Sequence, residues 1–420
     1  MGDSPIREIV ISNEAMKSLK TFLLRSAYTG VLLIADNITY SIAGAAVKSS
    51  LASLNIKVEE VVLNRPEMLV PDEKALGEIL LKIHQDIQII LAVGSGSIND
   101  LTRYIASKFG KPFISIPTAP SMDGYASPVA PLTIRGFKQT LPAIPPLAIF
   151  GELEVLASAP LVMKQAGYGD LFGKYTSLAD WKLGQLINGE SFSEEISSMI
   201  KTAVDQAIQS LSQDILPQVQ AKHLTEALIV SGEAMLKWGD SRPASGAEHH
   251  MAHFWEMQAD LTGGAHHLHG IKVGVATIQV LEIYHRLFKM NLSEVNQHIK
   301  LNDPESREDY FLRIKKAYGS LAGDILRDLN EYYLDNHARS LRQNRILENW
   351  NAIQKWVVEN IPTTEMVREK LNRLGAPVAV EQIGLDRKFL ITTLQNAKEV
   401  RKRYTIFRLI EDIGLKIENI

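Results

Sequence analysis

The chain has 420 residues, 45% of them hydrophobic and 22% charged, which is the composition of an ordinary water-soluble globular protein. Its net charge of -3, with lysines and arginines scattered along the chain, gives no electrostatic case for binding nucleic acid or an anionic membrane. It contains no cysteine, so disulfides, thiolate metal ligands and a cysteine nucleophile are excluded, and any metal must be held by His, Asp, Glu and water.

The first residues do not resemble a targeting segment. Residues 1–5 have no basic stretch followed by an apolar run, as a signal peptide would. The longest apolar stretches, such as residues 87–93, are far shorter than a membrane span. We therefore expect a cytoplasmic protein without membrane insertion.

Short apolar runs alternate with amphipathic segments in the first part of the chain. This alternation predicts a parallel sheet with helices on both of its faces. The predicted strands are residues 30–36, 58–63, 87–93 and 112–116, and the predicted helices are residues 42–54, 71–84 and 98–109.

Helical periodicity dominates after about residue 155, where strand signals fade. Helices are predicted at residues 161–186, 192–212, at 217–237 with continuation through His253, and at 271–289. The remainder also has a helical pattern, which Gly375-Ala376-Pro377 interrupts. We place a domain boundary between Pro146 and Pro160, which predicts an α/β domain at residues 1–155 and an all-α domain at 156–420.

The turn at residues 93–100 follows an apolar strand and opens a helix. Gly94 and Gly96 would let the backbone approach a pyrophosphate, which the N–H groups of the helix N-terminus would hold. A short Gly-x-Gly is equally compatible with glycines that serve only to make the turn. The turn therefore predicts a dinucleotide site but does not by itself establish one.

Asp36 ends the first predicted strand. Its carboxylate can bond a ribose 2′-hydroxyl and would repel a 2′-phosphate, which favours NAD over NADP. It can also cap the following helix, and the two roles are compatible. The segment 117–128 follows another strand and is rich in hydroxyls; it is either an ordinary loop or part of the ligand crevice that strand ends line in open α/β sheets. Asp123 is its one charged residue.

A dense group of histidines indicates a metal site. Five of the 11 histidines fall between residues 249 and 267, and His269 follows. Imidazole is a preferred ligand of zinc-like ions, and an aspartate with two histidines would leave coordination positions open for a substrate. Asp170, His249 and His269 have this chemistry. On a helix His253 would share the face of His249.

The other histidines leave the ligand set ambiguous. His250 would point about 100° away from His249 on a helix, so we interpret it, with His266 and His267, as lying around the site or on the surface. A His249/His253 pair could itself bind zinc, as in the His-Glu-x-x-His pattern of metalloproteases. Here His250 stands where that pattern has its catalytic glutamate.

Taken together, these motifs resemble those of the glycerol-1-phosphate dehydrogenases, and the chain looks most similar to their bacterial AraM-like branch. This family lies within the superfamily of iron-containing alcohol dehydrogenases, glycerol dehydrogenases and dehydroquinate synthases. The likeness spans nearly the whole chain and is most specific at residues 118–127 and 241–253. It also includes residues 167–174, 269–270 and 401–406. Ser95 departs from the family's triple-glycine turn, but serine is small and can donate a hydrogen bond.

The resemblance implies a dehydroquinate-synthase-like fold, with a Rossmann-like domain, a helical domain and a cleft between them. It implies a divalent zinc or nickel ion on Asp170, His249 and His269. Asp123, Asp170 and His253 would meet the substrate, and Asp170 and His253 would be the catalytic side chains. The dinucleotide, NAD or NADP, would meet the following residues in addition to Asp36: Gly94, Gly96, Ser97, Ile98, Asn99, Asp100, Thr118, Ser121 and Ser127.

The implied reaction is reversible reduction of dihydroxyacetone phosphate to sn-glycerol-1-phosphate, a step of phospholipid biosynthesis, by a homo-oligomer such as a homodimer. Metal would polarise the ketone, NAD(P)H would supply hydride, and His253 or a water chain would move the proton. Arg242 is a candidate for the substrate phosphate, although a salt bridge at the entry to a helix is at least as good an interpretation. A glycerol or polyol dehydrogenase, a dehydroquinate-synthase-like lyase and a non-catalytic nucleotide-binding protein are the alternatives.

Overall fold

The computed structural model describes residues 5–54, 56–65, 69–135, 137–212, 214–264, 267–302, 304–329 and 333–417. They form two compact units, residues 1–171 with 199–240 and residues 172–198 with 241–420. Residues 156–171 and 199–240 thus belong to the first compact unit, beyond the predicted boundary between residues 155 and 156. The boundary between an α/β domain and an all-α domain at residues 155 and 156 therefore stays a prediction.

A six-stranded parallel sheet organises the first unit, in the order β1-β8-β5-β4-β2-β3. The sheet strands are β1 (Glu8–Ser12), β2 (Gly30–Asp36), β3 (Lys57–Leu63), β4 (Ile89–Val93), β5 (Phe113–Ile116) and β8 (Ala148–Glu152). An antiparallel hairpin is formed by β6 (Val129–Ile134) and β7 (Phe137–Pro142). The predicted parallel sheet is confirmed, and its four predicted strands are β2 to β5.

The predicted strands do not include β1, β8 or the hairpin. β1 and β8 have only five residues each, and prolines 145 and 146 lie just before β8, where proline normally signals a loop. Pro131 and Pro142 lie within the hairpin, although proline cannot donate to a strand ladder.

Helices cover both faces of the sheet because its central strands are apolar on both sides. On one face Leu32 and Ile34 of β2 pack in a cluster that includes Leu76 and Leu101. On the other face Val31 and its neighbours pack with residues of the first and third helices. A strand buried on both sides is the expected form for a parallel sheet. The first-unit helices are α1 (Ala15–Ser26), α2 (Asn37–Thr39), α3 (Ala45–Leu51), α4 (Glu73–Leu80), α5 (Gly96–Phe109), α6 (Leu153–Ser158) and α9 (Pro217–Trp238).

Two helices contribute to both units, α7 (Leu161–Asn188) and α8 (Glu194–Gln209). In the described residues of the second unit, the regular secondary structure is helical. Its helices are α10 (Ala247–Thr262), α11 (His269–Leu287), α12 (Leu292–Leu301), α13 (Arg307–Tyr318), α14 (Ala322–Leu329), α15 (Asn336–Asn360), α16 (Thr364–Arg373), α17 (Arg387–Asn396) and α18 (Ile406–Ile413). Within the described residues, the helices all lack an apolar stretch sufficient to cross a membrane.

Three predicted helices have different limits in the structure. Residues 42–54 divide into the end of a π-helical turn (Tyr40–Gly44), α3 and a 3₁₀ turn (Ala52–Leu54). α4 begins only after Asp72, whose carboxylate caps it by accepting from the Ala75 amide at 2.8 Å. The predicted helix at residues 217–237 is α9, and the helical periodicity through His253 belongs to a separate helix, α10, because Gly239 ends α9 at φ 90°, a conformation that side chains other than glycine rarely adopt.

The topology creates a crevice beside β2. The chain passes from β2 to β3 on one side and then crosses to β4 on the other side of β2. Ligands of open α/β sheets bind at such a reversal, outside the carboxyl ends of the strands. Asp36 ends β2 and the glycine turn follows β4, so both lie at this point.

Gly167 gives a test of how tightly α7 packs. A Cβ at this position would lie 2.0 Å from the carbonyl oxygen of Pro120, which is backbone and cannot simply rotate away. We expect Gly167→Ala to destabilise the first unit by about 1–3 kcal/mol through overpacking. Gly77→Ala is the matched control, because nothing lies within 4 Å of its Cβ and alanine favours the helix. Thermal denaturation followed by circular dichroism should give a lower midpoint for the first variant only; equal midpoints would contradict this packing.

Candidate functional site

The turn between β4 and α5 has the form of a phosphate-binding turn. α5 begins at Gly96, and Ser95 precedes it without a side-chain cap bond. A Cβ at Gly94 would lie 2.7 Å from the side chain of Ile98, so Gly94 is needed for the turn itself. The N-terminal N–H groups of α5 lie at the crevice, where they can receive an anion.

Several predicted dinucleotide residues hold this turn through their side chains. The Asn99 amide donates to the carbonyls of Gly94 and Ser95 at 3.0 Å each, and its oxygen accepts from Ser115 Oγ at 2.6 Å. Ser97 Oγ donates to the Leu69 carbonyl at 2.9 Å, and Ile98 lies in the core. These residues would therefore meet a dinucleotide through backbone groups, while their side chains fix the turn.

Asp36 caps the helix that follows it. Its Oδ1 accepts from the Thr39 amide at 2.7 Å, and its own amide donates to Thr39 Oγ1 at 3.1 Å. The capping interpretation is thus observed in the structure. The ribose interpretation stays a prediction, and the position of Asp36 beside the β4 turn is compatible with it.

The loop at residues 117–128 is tied to the dinucleotide turn. Thr118, Ser121 and Ser127 are buried, and the Thr118 amide donates to the Gly94 carbonyl at 3.4 Å. Arg103 of α5 is fully buried and donates from Nη1 to the Ser127 carbonyl at 2.9 Å. Its Nε also lies 3.6 Å from the Asp100 carboxylate. The sequence analysis did not single out Arg103, since one arginine in an amphipathic helix gives no signal of burial.

Asp123 and Asp170 meet within the first unit. The Asp123 amide donates to Asp170 Oδ2 at 3.0 Å, and Ser231 Oγ of α9 donates to Asp123 Oδ2 at 3.0 Å. A Cβ at Gly232 would lie 2.9 Å from the Asp123 carbonyl oxygen, so this glycine lets α9 approach the 3₁₀ turn at Asp123–Ala126. Ser231 was not predicted, because a serine within a helix has no motif around it.

The second unit brings His249, His253 and His269 together. His249 and His253 share one face of α10, as predicted, and His269 is the first residue of α11. The ring of His269 lies 5.3 Å from that of His249 and 5.1 Å from that of His253, centre to centre. Three imidazoles at these separations can surround one small ligand or ion.

A buried glutamate orients His249. Glu248 Oε1 lies 2.7 Å from His249 Nδ1 and also accepts from the Gly246 amide at 2.7 Å, while Oε2 accepts from Thr176 Oγ1 at 2.6 Å. Burial alone would raise the pKa of Glu248, but the hydrogen bond and charge of His249, helped by Thr176, lower it below its usual value. The carboxylate therefore stays ionised and fixes the imidazole.

A second glutamate, Glu256, orients His253 and His269 together. Its Oε2 lies 3.1 Å from His253 Nδ1 and its Oε1 lies 2.9 Å from His269 Nδ1. Lys272 Nζ lies 3.1 Å from the same Oε1. Neither glutamate was predicted, although Glu256 follows His249 by seven residues and hence shares its helical face.

The other histidines named in the sequence analysis differ in how deeply they are buried, and Arg242 is paired with a carboxylate. His250 is fully buried, neither ring nitrogen has a hydrogen-bond partner among the described residues, and burial followed by the charges of Arg403 and Arg401 holds its pKa well below the usual value. It is therefore not a surface residue. His267 is partly exposed, and His266 lies outside the described residues. Arg242 forms an ion pair with Glu190, with Nε 3.1 Å from Oε2.

The donor set of the second unit fits a divalent metal. His249 and His269 each place Nδ1 against a carboxylate, which directs Nε2 to a ligand and makes the ring more basic. Such carboxylate–histidine pairs are typical of metal-binding histidines. His253 differs because its Nε2 faces Arg401 Nη2 at 3.4 Å. His253, Glu256 and His269 nevertheless have ligand atoms within 4.8 Å of one another, so this group could also hold a metal ion.

Comparisons with known proteins agree with these observations. A family model described as "Iron-containing alcohol dehydrogenase" matches residues 10–160. A glycerol-1-phosphate dehydrogenase [NAD(P)+] of Geobacillus thermodenitrificans is 33% identical over 98% of this chain and 94% of its own. That of Bacillus subtilis is 35% identical over 97% and 91%. The chain belongs to the glycerol-1-phosphate dehydrogenase family.

Solved structures confirm the fold. Glycerol dehydrogenase of Schizosaccharomyces pombe gives a TM-score of 0.61 at 17% identity, over 97% of this chain and 88% of its own. An iron-containing alcohol dehydrogenase of Corynebacterium glutamicum gives 0.59 at 16% identity, over 99% and 97%. The predicted α/β plus all-α architecture is therefore confirmed for this family member.

The two roles of Asp36 can be separated by Asp36→Asn, which keeps a good capping residue and removes the charge. We expect the ratio of kcat/KM with NADP to kcat/KM with NAD to rise by about tenfold, which is about 1.4 kcal/mol. Thermal stability should hardly change. Asp386→Asn, which alters the equivalent cap of α17 in the other compact unit, is the control and should leave the ratio unchanged. An unchanged ratio in Asp36→Asn would leave capping as the function of Asp36.

Proposed function

We propose that this protein is an NAD(P)-dependent sn-glycerol-1-phosphate dehydrogenase, which reduces dihydroxyacetone phosphate to sn-glycerol-1-phosphate. The observation that carries the proposal is the relationship of the nearly complete chain to glycerol-1-phosphate dehydrogenases, at 33% identity for Geobacillus thermodenitrificans. The histidine cluster with its two buried glutamates supplies the chemistry that such a reaction needs.

Asp170, His249 and His269 are the proposed ligands of one zinc or nickel ion. The two histidines are proposed because a carboxylate holds Nδ1 of each ring and leaves Nε2 for the ion. Asp170 is proposed from the family resemblance and because its carboxylate is a hard ligand. When bound, the ion would polarise the substrate ketone and NADH or NADPH would supply the hydride.

His253 is proposed to relay the proton to the substrate oxygen, directly or through water, by taking a proton up at Nε2 and passing it on. Burial lowers its pKa well below the usual value, and Arg401 adds to this although Glu256 opposes it. Glu256 fixes the ring by accepting from Nδ1, so that Nε2 is the nitrogen that exchanges protons. Asp123, held by Ser231, is proposed to orient a substrate hydroxyl.

A dehydrogenase for an unphosphorylated polyol is the alternative function, and the glycerol dehydrogenase of S. pombe shares this fold. The phosphate therefore has to be tested directly. We expect kcat/KM for dihydroxyacetone phosphate to exceed that for dihydroxyacetone by at least about 100-fold, because a specific phosphate contact contributes several kcal/mol. Chiral analysis of the product, after reduction with NADH in the presence of zinc or nickel, should give the sn-1 enantiomer. Equal efficiency with both ketones would overturn the proposal.

Two histidine variants separate metal binding from proton transfer. His249→Ala should lose bound metal and turnover together, because a ligand and its Glu248 contact are removed. His253→Ala should retain the metal and lower kcat by about 100-fold or more. His337→Ala, on the exposed side of α15, is the control. Metal content by mass spectrometry and steady-state kinetics give the answer; loss of metal from His253→Ala would show that the ligand assignment is wrong.

A further inference from the structure

A buried arginine, Arg103, connects two parts of the first compact unit that the proposed reaction uses. It lies on α5, and its side chain is fully buried. Its Nη1 donates to the Ser127 carbonyl at 2.9 Å and to the Val129 carbonyl at 3.3 Å. Its Nε donates to the Asn99 carbonyl at 3.3 Å. One guanidinium thus joins the helix that follows the glycine turn to the end of the loop at residues 117–128.

On the helix side, the glycine turn has a support of its own. The side-chain amide of Asn99 donates to the carbonyls of Gly94 and Ser95 at 3.0 Å each. Its oxygen accepts from Ser115 Oγ at 2.6 Å, which fixes the amide in turn. These bonds do not involve the guanidinium of Arg103. Replacing Arg103 should therefore leave the dinucleotide turn formed.

On the loop side, Arg103 contacts the segment that carries Asp123. Ser127 directly follows the 3₁₀ turn at Asp123–Ala126, and its amide donates to the Gly124 carbonyl at 3.1 Å. A Cβ added at Gly124 would lie 4.0 Å from Arg103 Nη1, so the guanidinium lies close to the backbone of this turn. The position of the Asp123 carboxylate therefore depends on a turn whose C-terminal end is bound by Arg103.

Stability alone does not explain why a guanidinium is buried here. The Asp100 carboxylate lies 3.6 Å from Nε, and Nη2 is buried without a hydrogen-bond partner among the described residues. Burial lowers the pKa of the guanidinium, and the charge of Asp100, with smaller contributions from Tyr125 and Asp123, opposes this. A buried charged pair is weak evidence for stability, and a buried donor without a partner calls for another explanation. Placement of the loop is such an explanation.

We propose that Arg103 is a positioning residue, which fixes the Asp123 carboxylate relative to the glycine turn by holding the carbonyls that follow the 3₁₀ turn. This inference rests on the proposed function, in which Asp123 orients a substrate hydroxyl. Hydride transfer needs aligned reactants, and a misplacement of about 1 Å can lower the rate about 100-fold. In this role Arg103 touches neither substrate nor dinucleotide and acts through the backbone of the loop.

Arg103→Lys tests the proposal, because lysine keeps the charge but lacks the planar fork. We expect kcat of the metal-loaded protein to fall by about 10-fold or more. The Kd of NADH, followed by fluorescence titration, should change by less than about threefold, because Asn99 still holds the glycine turn. Lys108→Gln, which removes an exposed cation of the same helix, is the matched control and should change neither quantity. A loss of NADH affinity as large as the loss in kcat would show instead that Arg103 only supports α5.

A double-variant cycle with Asp123→Asn shows whether Arg103 acts through Asp123. Once the carboxylate has been removed, its position no longer matters, so Arg103→Lys should lower kcat by less than about threefold in the Asp123→Asn background. Losses that multiply in the double variant would overturn the proposal. Arg103→Gln buries no charge and gives the same cycle if the lysine variant does not fold, which thermal denaturation followed by circular dichroism shows.

The outcomes distinguish this inference from the proposed function. The cycle is measured with dihydroxyacetone phosphate and with dihydroxyacetone, both of which carry a hydroxyl that Asp123 could orient. If the unaltered protein reduces both ketones equally well, or prefers dihydroxyacetone, the proposed function fails while the cycle still tests Arg103. If it prefers the phosphorylated ketone and the losses of the two variants multiply, the role of Arg103 fails while the function stands.

Discussion

The proposed chemistry depends on the contacts that the carboxylate of Glu256 makes. It accepts from His253 and His269 and pairs with Lys272, so one side chain fixes residues of two helices. These contacts also fix which ring nitrogen of each histidine is available for other work, because Nδ1 faces the carboxylate. A neutral residue here would remove the carboxylate that the Lys272 ammonium and both imidazoles contact. The assignment of different roles to His253 and His269 therefore depends on what faces each Nε2.

A second buried acid, Asp180, fixes the start of α10. Asp180 of α7 accepts from the Ala247 amide at 2.6 Å, the Tyr284 hydroxyl at 2.6 Å and the Ile406 amide at 2.7 Å. Burial, with a contribution from Glu248, raises the pKa of Asp180 to about 7. Three donors offset part of the desolvation cost of this side chain. Asp180 thus links the N-terminus of α10, which carries His249, to the N-terminus of α18, which follows Arg401.

Local patterns predicted four of the strands and several of the helices, but not β1, β8 or the hairpin, and they predicted only part of the site. β2 to β5 and α5 were predictable because each has a strong periodicity and a turn signal beside it. The 239–246 break was not, since Gly239 gave little indication that its backbone would adopt a positive φ. His249, His253 and His269 were found by their density, and the structure gathers them. Glu248, Glu256 and Ser231 were missed because their importance depends on contacts that no sequence spacing alone reveals.

Substrate choice in this fold has to come from individual side chains. Glycerol dehydrogenase of S. pombe shares the fold at a TM-score of 0.61, and so does maleylacetate reductase of Agrobacterium tumefaciens at 0.60, although their names refer to different substrates. A common sheet and a helical unit therefore cannot select a phosphate. Ser241 accepts from both Arg401 and Arg403, which lie far away in sequence, so the charge beside His253 is assembled only when the second unit folds.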